Sequence, residues 1–120
     1  MDEVLYLHHQ SLTRFGGLDG VRDMGLVESA LGSARNTLFY GNGDIFNVAA
    51  SYAFHLAESQ AFLDGNKRTG AAAGLAFLRL NGIPVPEDDG SLFDAMIAIA
   101  NRQMNKLDLA EVLRRLVRQH

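Results

Sequence analysis

The residues best suited to chemistry stand together in Gln60-Ala61-Phe62-Leu63-Asp64-Gly65-Asn66-Lys67-Arg68-Thr69. A carboxylate, an amide and two cations follow one another around a glycine, just before a run of helix-forming residues. The free amides and positive dipole end of a helix N-terminus make an anion site. Gly65 allows close backbone approach, and Lys67 and Arg68 bring donors suited to phosphate oxygens. Asp64 offers a hard oxygen ligand to a magnesium ion held otherwise by nucleotide phosphates and water. Asn66 can orient either a phosphate oxygen or the loop itself. The combination suits a magnesium nucleotide with its phosphates over the helix N-terminus.

The same residues admit other readings. Asp-Gly-Asn before Lys-Arg is also good turn chemistry leading into a helix, and local chemistry alone leaves that reading open. A helix-loop-helix calcium site does not fit. Counted from Asp64, the sixth position is Thr69 where glycine is required, and the twelfth is Leu75 where a carboxylate is required. A Walker loop fails too, because Gly65 and Gly70 do not bracket a Gly-Lys-Ser/Thr. The histidines, His8, His9, His55 and His120, show no helical metal-pair spacing and are read as structural or surface residues.

These residues must be positioned by helices. Leu5, Leu12 and Phe15 share a helical stripe with His8, and Gly16-Gly17-Leu18-Asp19-Gly20 then imposes a loop. Leu26, Val27, Ala30, Leu31 and Ala34 mark a short second helix. Thr37 to Gly43 also suits a short hairpin. Asp44 can cap a third helix, ending near Ser59, whose stripe is Phe46, Ala49, Ala50, Ala53, Phe54 and Ala57. The spacing predicts a fourth helix over 66–80. Its middle, Gly70 to Leu78, is apolar all round, which predicts burial on every side and a central place in the fold. Ser91 with Asp94, and Asp108 with Glu111, resemble capping boxes starting two more helices.

At 120 residues, 48% apolar and 21% charged, the chain reads as one globular domain over 1–120. A net charge of -3 argues against direct nucleic-acid binding. The absence of cysteine excludes disulfide and thiolate chemistry and permits a cytoplasmic home. The N-terminus does not read as a secretory signal, and no apolar run suffices to span a bilayer, so a soluble protein without membrane attachment is expected.

Phe62, Asp64, Gly65, Asn66, Lys67 and Arg68 closely resemble the motif of the Fic/Doc (Fido) superfamily. That motif reads His, any, Phe, any, Asp or Glu, Gly or Ala, Asn, Lys or Gly, Arg. The lysine, followed by Thr69, resembles the death-on-curing (Doc) toxin branch. So does Ala71, where Fic adenylyltransferases carry a second arginine. Arg14-Phe15-Gly16-Gly17-Leu18 and Ala76-Phe77-Leu78-Arg79-Leu80-Asn81-Gly82 extend the resemblance over most of the chain.

The resemblance implies an all-α, compact Fido-type bundle of about six helices around a central buried helix. It implies ATP-dependent transfer to a protein hydroxyl, with phosphoryl transfer to elongation factor Tu in the Doc branch and nucleotidyl transfer as the Fic variant. It also implies a partner antitoxin whose disordered tail folds into an apolar, partly exposed groove beside the active site. By position, Asp64 would bind Mg2+; Gly65, Asn66, Lys67 and Arg68 would hold phosphates; Phe62 would anchor the loop.

Gln60 stands where the motif has its catalytic histidine, so the catalytic set carried over is Gln60, Asp64 and Arg68. A glutamine amide can orient an attacking hydroxyl but cannot take its proton. Loss of general-base help typically costs about 100- to 10,000-fold. His55 lies five residues earlier on a helix and would point away. Phosphoryl transfer depends heavily on positioning and electrostatics, so a slow enzyme is compatible with Gln60. The alternative is a Fido-fold protein without catalysis, acting through nucleotide or partner binding.

Overall fold

The computed structural model describes residues 2–15, 20–40, 44–62, 65–85 and 90–118. Six helices lie in this part of the chain: α1 (Asp2–Phe15), α2 (Met24–Tyr40), α3 (Ile45–Ser59), α4 (Asn66–Leu80), α5 (Ser91–Ala100) and α6 (Lys106–Arg118). No strand occurs among the described residues, only a single antiparallel bridge between Val21 and Phe62. The architecture is all-α, as expected of a Fido-type bundle. No helix among them is long and apolar enough to cross a membrane.

α3 and α4 form the heart of the molecule. α3 packs against α2, α4, α5 and α6, whereas α4 packs against α1, α3 and α5. The centre is therefore shared, and burial of α4 is one-sided rather than complete. Gly70, Ala73, Gly74, Leu75 and Leu78 are buried, while Ala71, Ala72, Ala76 and Phe77 are only half-buried and Leu80 is exposed. The reason is the small residues on one face. A Cβ on Gly70 would stand 2.5 Å from the Ala53 carbonyl oxygen, and one on Gly74 3.1 Å from that of Ala49. The alanines of α3 and glycines of α4 let the two backbones nearly touch.

Two apolar clusters flank this pair. Ala49, Ala53, Leu78, Leu92, Met96 and Leu113 lie in the one toward α5 and α6. Val4, Val27, Leu31, Leu56, Phe62 and Ala73 lie in the one toward α1 and α2.

Three local expectations are corrected. The hairpin expected from Thr37 does not form, because α2 runs on to Tyr40; residues 41–43 lie outside the described residues. β-favouring residues are a weak preference beside extension of a helix already formed. α5 starts after Gly90, in the left-handed region at φ 98°, so Ser91 is its first helical residue and not its cap. The capping box of α6 is one frame earlier than expected: Asp108 N–H donates to Asn105 Oδ1 at 2.9 Å, and Asn105 N–H to Asp108 Oδ2 at 3.2 Å. Glu111 instead pairs with Arg114 and Arg118.

Candidate active site

α3 stops at Ser59 because Gln60 adopts the left-handed conformation, φ 54° and ψ 34°. The turn sends the chain back into the core, where Ala61 and Phe62 are buried. Arg22 N–H and Asp23 N–H both donate to the Ala61 carbonyl, at 2.7 and 3.2 Å. The segment before α2 thus forms one wall of the loop. α1 forms another, with the buried His8 ring stacked on Phe62 at 3.9 Å between centroids and 15° between planes.

Asn66 ties the two ends of the loop. Its Oδ1 accepts from Phe62 N–H at 3.0 Å, and its Nδ2 donates to the Phe62 carbonyl at 3.0 Å. Of the two roles open to Asn66 from its chemistry, its side chain here orients the loop, with both polar atoms on Phe62. Asp64 and Leu63 lie between these fixed points, outside the described residues. Gly65 is in the left-handed region, φ 74°, where glycine is favoured. It is the N-cap of α4 and supplies no side-chain cap. Lys67 and Arg68 follow in the first turn, both half-buried, and the Arg68 guanidinium carbon lies over the Phe93 ring, 5.7 Å from its centroid.

Gln60 is exposed at the mouth of the turn. Its Nε2 donates to the Ala57 carbonyl at 3.3 Å, so its Oε1 is the acceptor that can face an incoming donor. His55 is not part of this group. Its Nε2 lies 3.2 Å from Lys106 Nζ, and burial, then the Lys106 charge, holds its pKa below the ordinary histidine value despite Glu58. His9 is exposed, and His120 lies outside the described residues.

In the sequence His8 is one member of a helical stripe, and nothing adjacent links it to the loop. A polar ring on an otherwise apolar stripe was the available signal. Nothing in the local pattern marked Arg22, Asp23 or Phe93.

A search of protein families matches the Fic/DOC family over residues 1–78. The chain belongs to the Fic/DOC family. As a Fic/DOC protein it is 35% identical over 116 residues to a protein of Escherichia phage P1 named protein kinase doc, covering 96% of this chain and 91% of that relative. It is also 37% identical over 76 residues to a protein of Mycolicibacterium smegmatis named toxin Doc, covering 62% of this chain and 58% of that relative. These matches place it in the Doc branch of the Fic/DOC family.

Among the described residues, no group of three or more His, Asp or Glu side chains could hold a metal. A magnesium ion brought with a nucleotide would need one carboxylate besides the phosphates. In this Fic/DOC site Asp64 would be that carboxylate, while the start of α4, whose N-cap Gly65 carries no side chain, would with Lys67 and Arg68 face the phosphates. A bound magnesium nucleotide would supply the transferable group and neutralise charge as it moves.

Proposed function

We propose that this protein is a Doc-type toxin that transfers the γ-phosphoryl group of ATP to a protein hydroxyl, with elongation factor Tu the first acceptor to test. The observation that carries this reading is the start of α4. A left-handed glycine leaves the helix without a side-chain cap, Asn66 locks the preceding loop, and two cations follow in the same turn. The name of the phage P1 relative, a protein kinase, favours phosphoryl transfer over nucleotidyl transfer.

Within this reading each residue has a distinct task. Asp64 binds Mg2+. Gly65 and the first amides of α4 cradle phosphate oxygens, and Lys67 and Arg68 offset their charge. Phe62 anchors the loop and Asn66 sets its shape. Gln60 accepts a hydrogen bond from the attacking hydroxyl at Oε1, while its Nε2 stays on the Ala57 carbonyl. It orients the nucleophile; the proton leaves to water or to the phosphoryl oxygens.

The second reading is a Fic/DOC protein that binds nucleotide or partner without catalysis, favoured by the non-titrating Gln60. Calorimetry should show Mg-ATP binding that is weakened at least about tenfold in Lys67→Ala/Arg68→Ala, which removes two charge-assisted contacts. Label from γ-phosphate ATP should enter acceptor protein, and label in the α position should not. Gln60→His should raise transfer at least about tenfold near neutral pH by restoring a base. Binding without transfer from either protein leaves the non-catalytic reading; no ATP binding removes the phosphotransferase and leaves only partner binding.

The relatives' toxin name also supports an antitoxin partner. A groove of about 680 Å³ runs between α1, α2, α3 and the C-terminal half of α4, lined by Val4, Leu7, Leu31, Tyr52, Phe77 and Leu80 together with the charged Glu28 and Arg35. Leu80 is 80% exposed at its edge. An amphipathic segment that folds on binding would cover it. Leu80→Glu should weaken antitoxin binding by about tenfold or more in a pull-down or calorimetric titration, since it puts a charge at the groove's apolar edge. Unchanged affinity would move the antitoxin elsewhere.

A further inference from the structure

We propose that Glu28 and Arg35 set the direction and charge pattern of the helix that fills the groove between α1, α2, α3 and α4. Its occupant is then an amphipathic helix with a basic and an acidic residue about two turns apart; this rests on the reading of the groove as a partner site. The groove itself is mostly apolar. Val4, Leu31 and Ala73 in its lining are buried, and the rings of Tyr52 and Phe77 stand 5.2 Å apart. Two charges of opposite sign join this lining, and both come from α2. A spacing of seven residues puts them on one side of that helix, about 10 Å apart along its axis.

Glu28 has no hydrogen-bond or ion-pair partner among the described residues, and both residues are exposed. Arg35 donates from Nε to the Leu31 carbonyl at 3.4 Å, which draws it back along α2 toward a lining residue of the groove. Its terminal nitrogens have no partner among the described residues. An occupant that covered the apolar lining would also shut these two charges off from water. Left unpaired there, or faced with like charge, they would oppose binding, so the groove favours a counter-charge at each. No strand among the described residues offers an edge, so an extended peptide would leave backbone groups without partners. A helix satisfies its own. For a given helix, only one direction brings its basic residue to Glu28 and its acidic residue to Arg35. The apolar face supplies affinity, and the two charges supply the order.

The test is titration of the full chain with synthetic amphipathic helical peptides that share one leucine face. One form carries lysine and glutamate seven positions apart, and a second carries glutamine at both places. In low salt the first should bind about three- to tenfold more tightly, and added salt should shrink the difference. Glu28→Gln/Arg35→Gln should erase it while leaving the glutamine form's affinity unchanged. A nitroxide on the N-terminus of the charged peptide should broaden amide resonances at one end of the Glu28–Arg35 span. In Glu28→Arg/Arg35→Glu the broadening should move to the other end. Equal binding of the two forms, or broadening that stays in place after the charge swap, would overturn the proposal while leaving the groove a partner site. No binding of either form, or self-association of the chain that Leu80→Glu abolishes, would overturn the partner reading of the groove, and this inference with it.

Discussion

The N-termini of α3 and α4 solve one physical problem in opposite ways. Both begin a helix from the central pair, and both leave backbone N–H groups that need acceptors. At α3 the chain supplies its own anion: Asp44 accepts from Phe46 N–H at 2.7 Å and Asn47 N–H at 3.4 Å. Arg114 then closes on Asp44 at 3.2 Å. At α4 the corresponding position is Gly65, which has no side chain to offer, and cations follow where α3 has Phe46 and Asn47. A helix start satisfied from within is a structural joint. A start whose N-cap residue has no side chain, followed by positive charge, would suit the outside anion of the proposed phosphate site.

If this contrast is right, the loop before α4 must be held by something other than a cap, and Asn66 is that device. Asn66→Ala leaves both the N–H and the carbonyl of buried Phe62 without partners, each costing about 1–3 kcal/mol. The expected loss is about 2–4 kcal/mol, read by urea denaturation, and it should exceed that of any single cap variant. Asn66→Asp should restore little, because a carboxylate can accept from Phe62 N–H but repels its carbonyl. A loss below about 1 kcal/mol would mean that the His8 stack and the Ala61 bonds hold the loop without Asn66.

The α3 joint should be weaker and pH-dependent. Asp44→Ala should cost about 1 kcal/mol, the ordinary worth of a cap, with little added by its exposed ion pair. Burial alone would raise the Asp44 pKa, but the Phe46 N–H, then Arg114 by hydrogen bond and charge, outweigh it and hold the carboxyl below the usual range. A depressed folded pKa means that the unfolded chain takes up the proton first as pH falls. The stabilisation is thus complete above the ordinary carboxylate pKa and disappears as pH falls through the lowered one. Wild type and Asp44→Ala should converge in stability there. A gap that persists in strong acid would show that Asp44 acts through packing.

Much of this contrast could be read from the chain because capping is local chemistry. Asp44 before an apolar stripe, and Gly65-Asn66 before another, locate the starts of α3 and α4, and the span 66–80 agrees with the helix found. Local chemistry misleads where one pattern fits two frames. Asn105 to Asp108 and Asp108 to Glu111 have the same spacing, and only helix entry decides which becomes the box. Contacts between distant segments leave no local mark. The stack of His8 on Phe62, the hold of Arg22 and Asp23 on Ala61, and the ring of Phe93 beneath Arg68 depend on how α1, α2 and α5 are docked. The loop was therefore legible as chemistry, and the walls that shape it were not.

The smallest expected effect bears on how open the start of α4 is. Thr69, in the first turn after the two cations, is fully buried, and its hydroxyl has no hydrogen-bond partner among the described residues. An unpartnered buried hydroxyl costs stability, and removing it while keeping shape is near neutral or favourable. Valine has nearly the shape of threonine and a similar helix preference. Thr69→Val should therefore leave stability unchanged or raise it by up to about 1 kcal/mol, the opposite sign to Asn66→Ala and Asp44→Ala. Mg-ATP affinity, measured in parallel, should not change if the hydroxyl is only a buried leftover of core packing. A fall in affinity with stability intact would add Thr69 to the groups that meet the anion, and the open character of this helix start would then extend into its buried side.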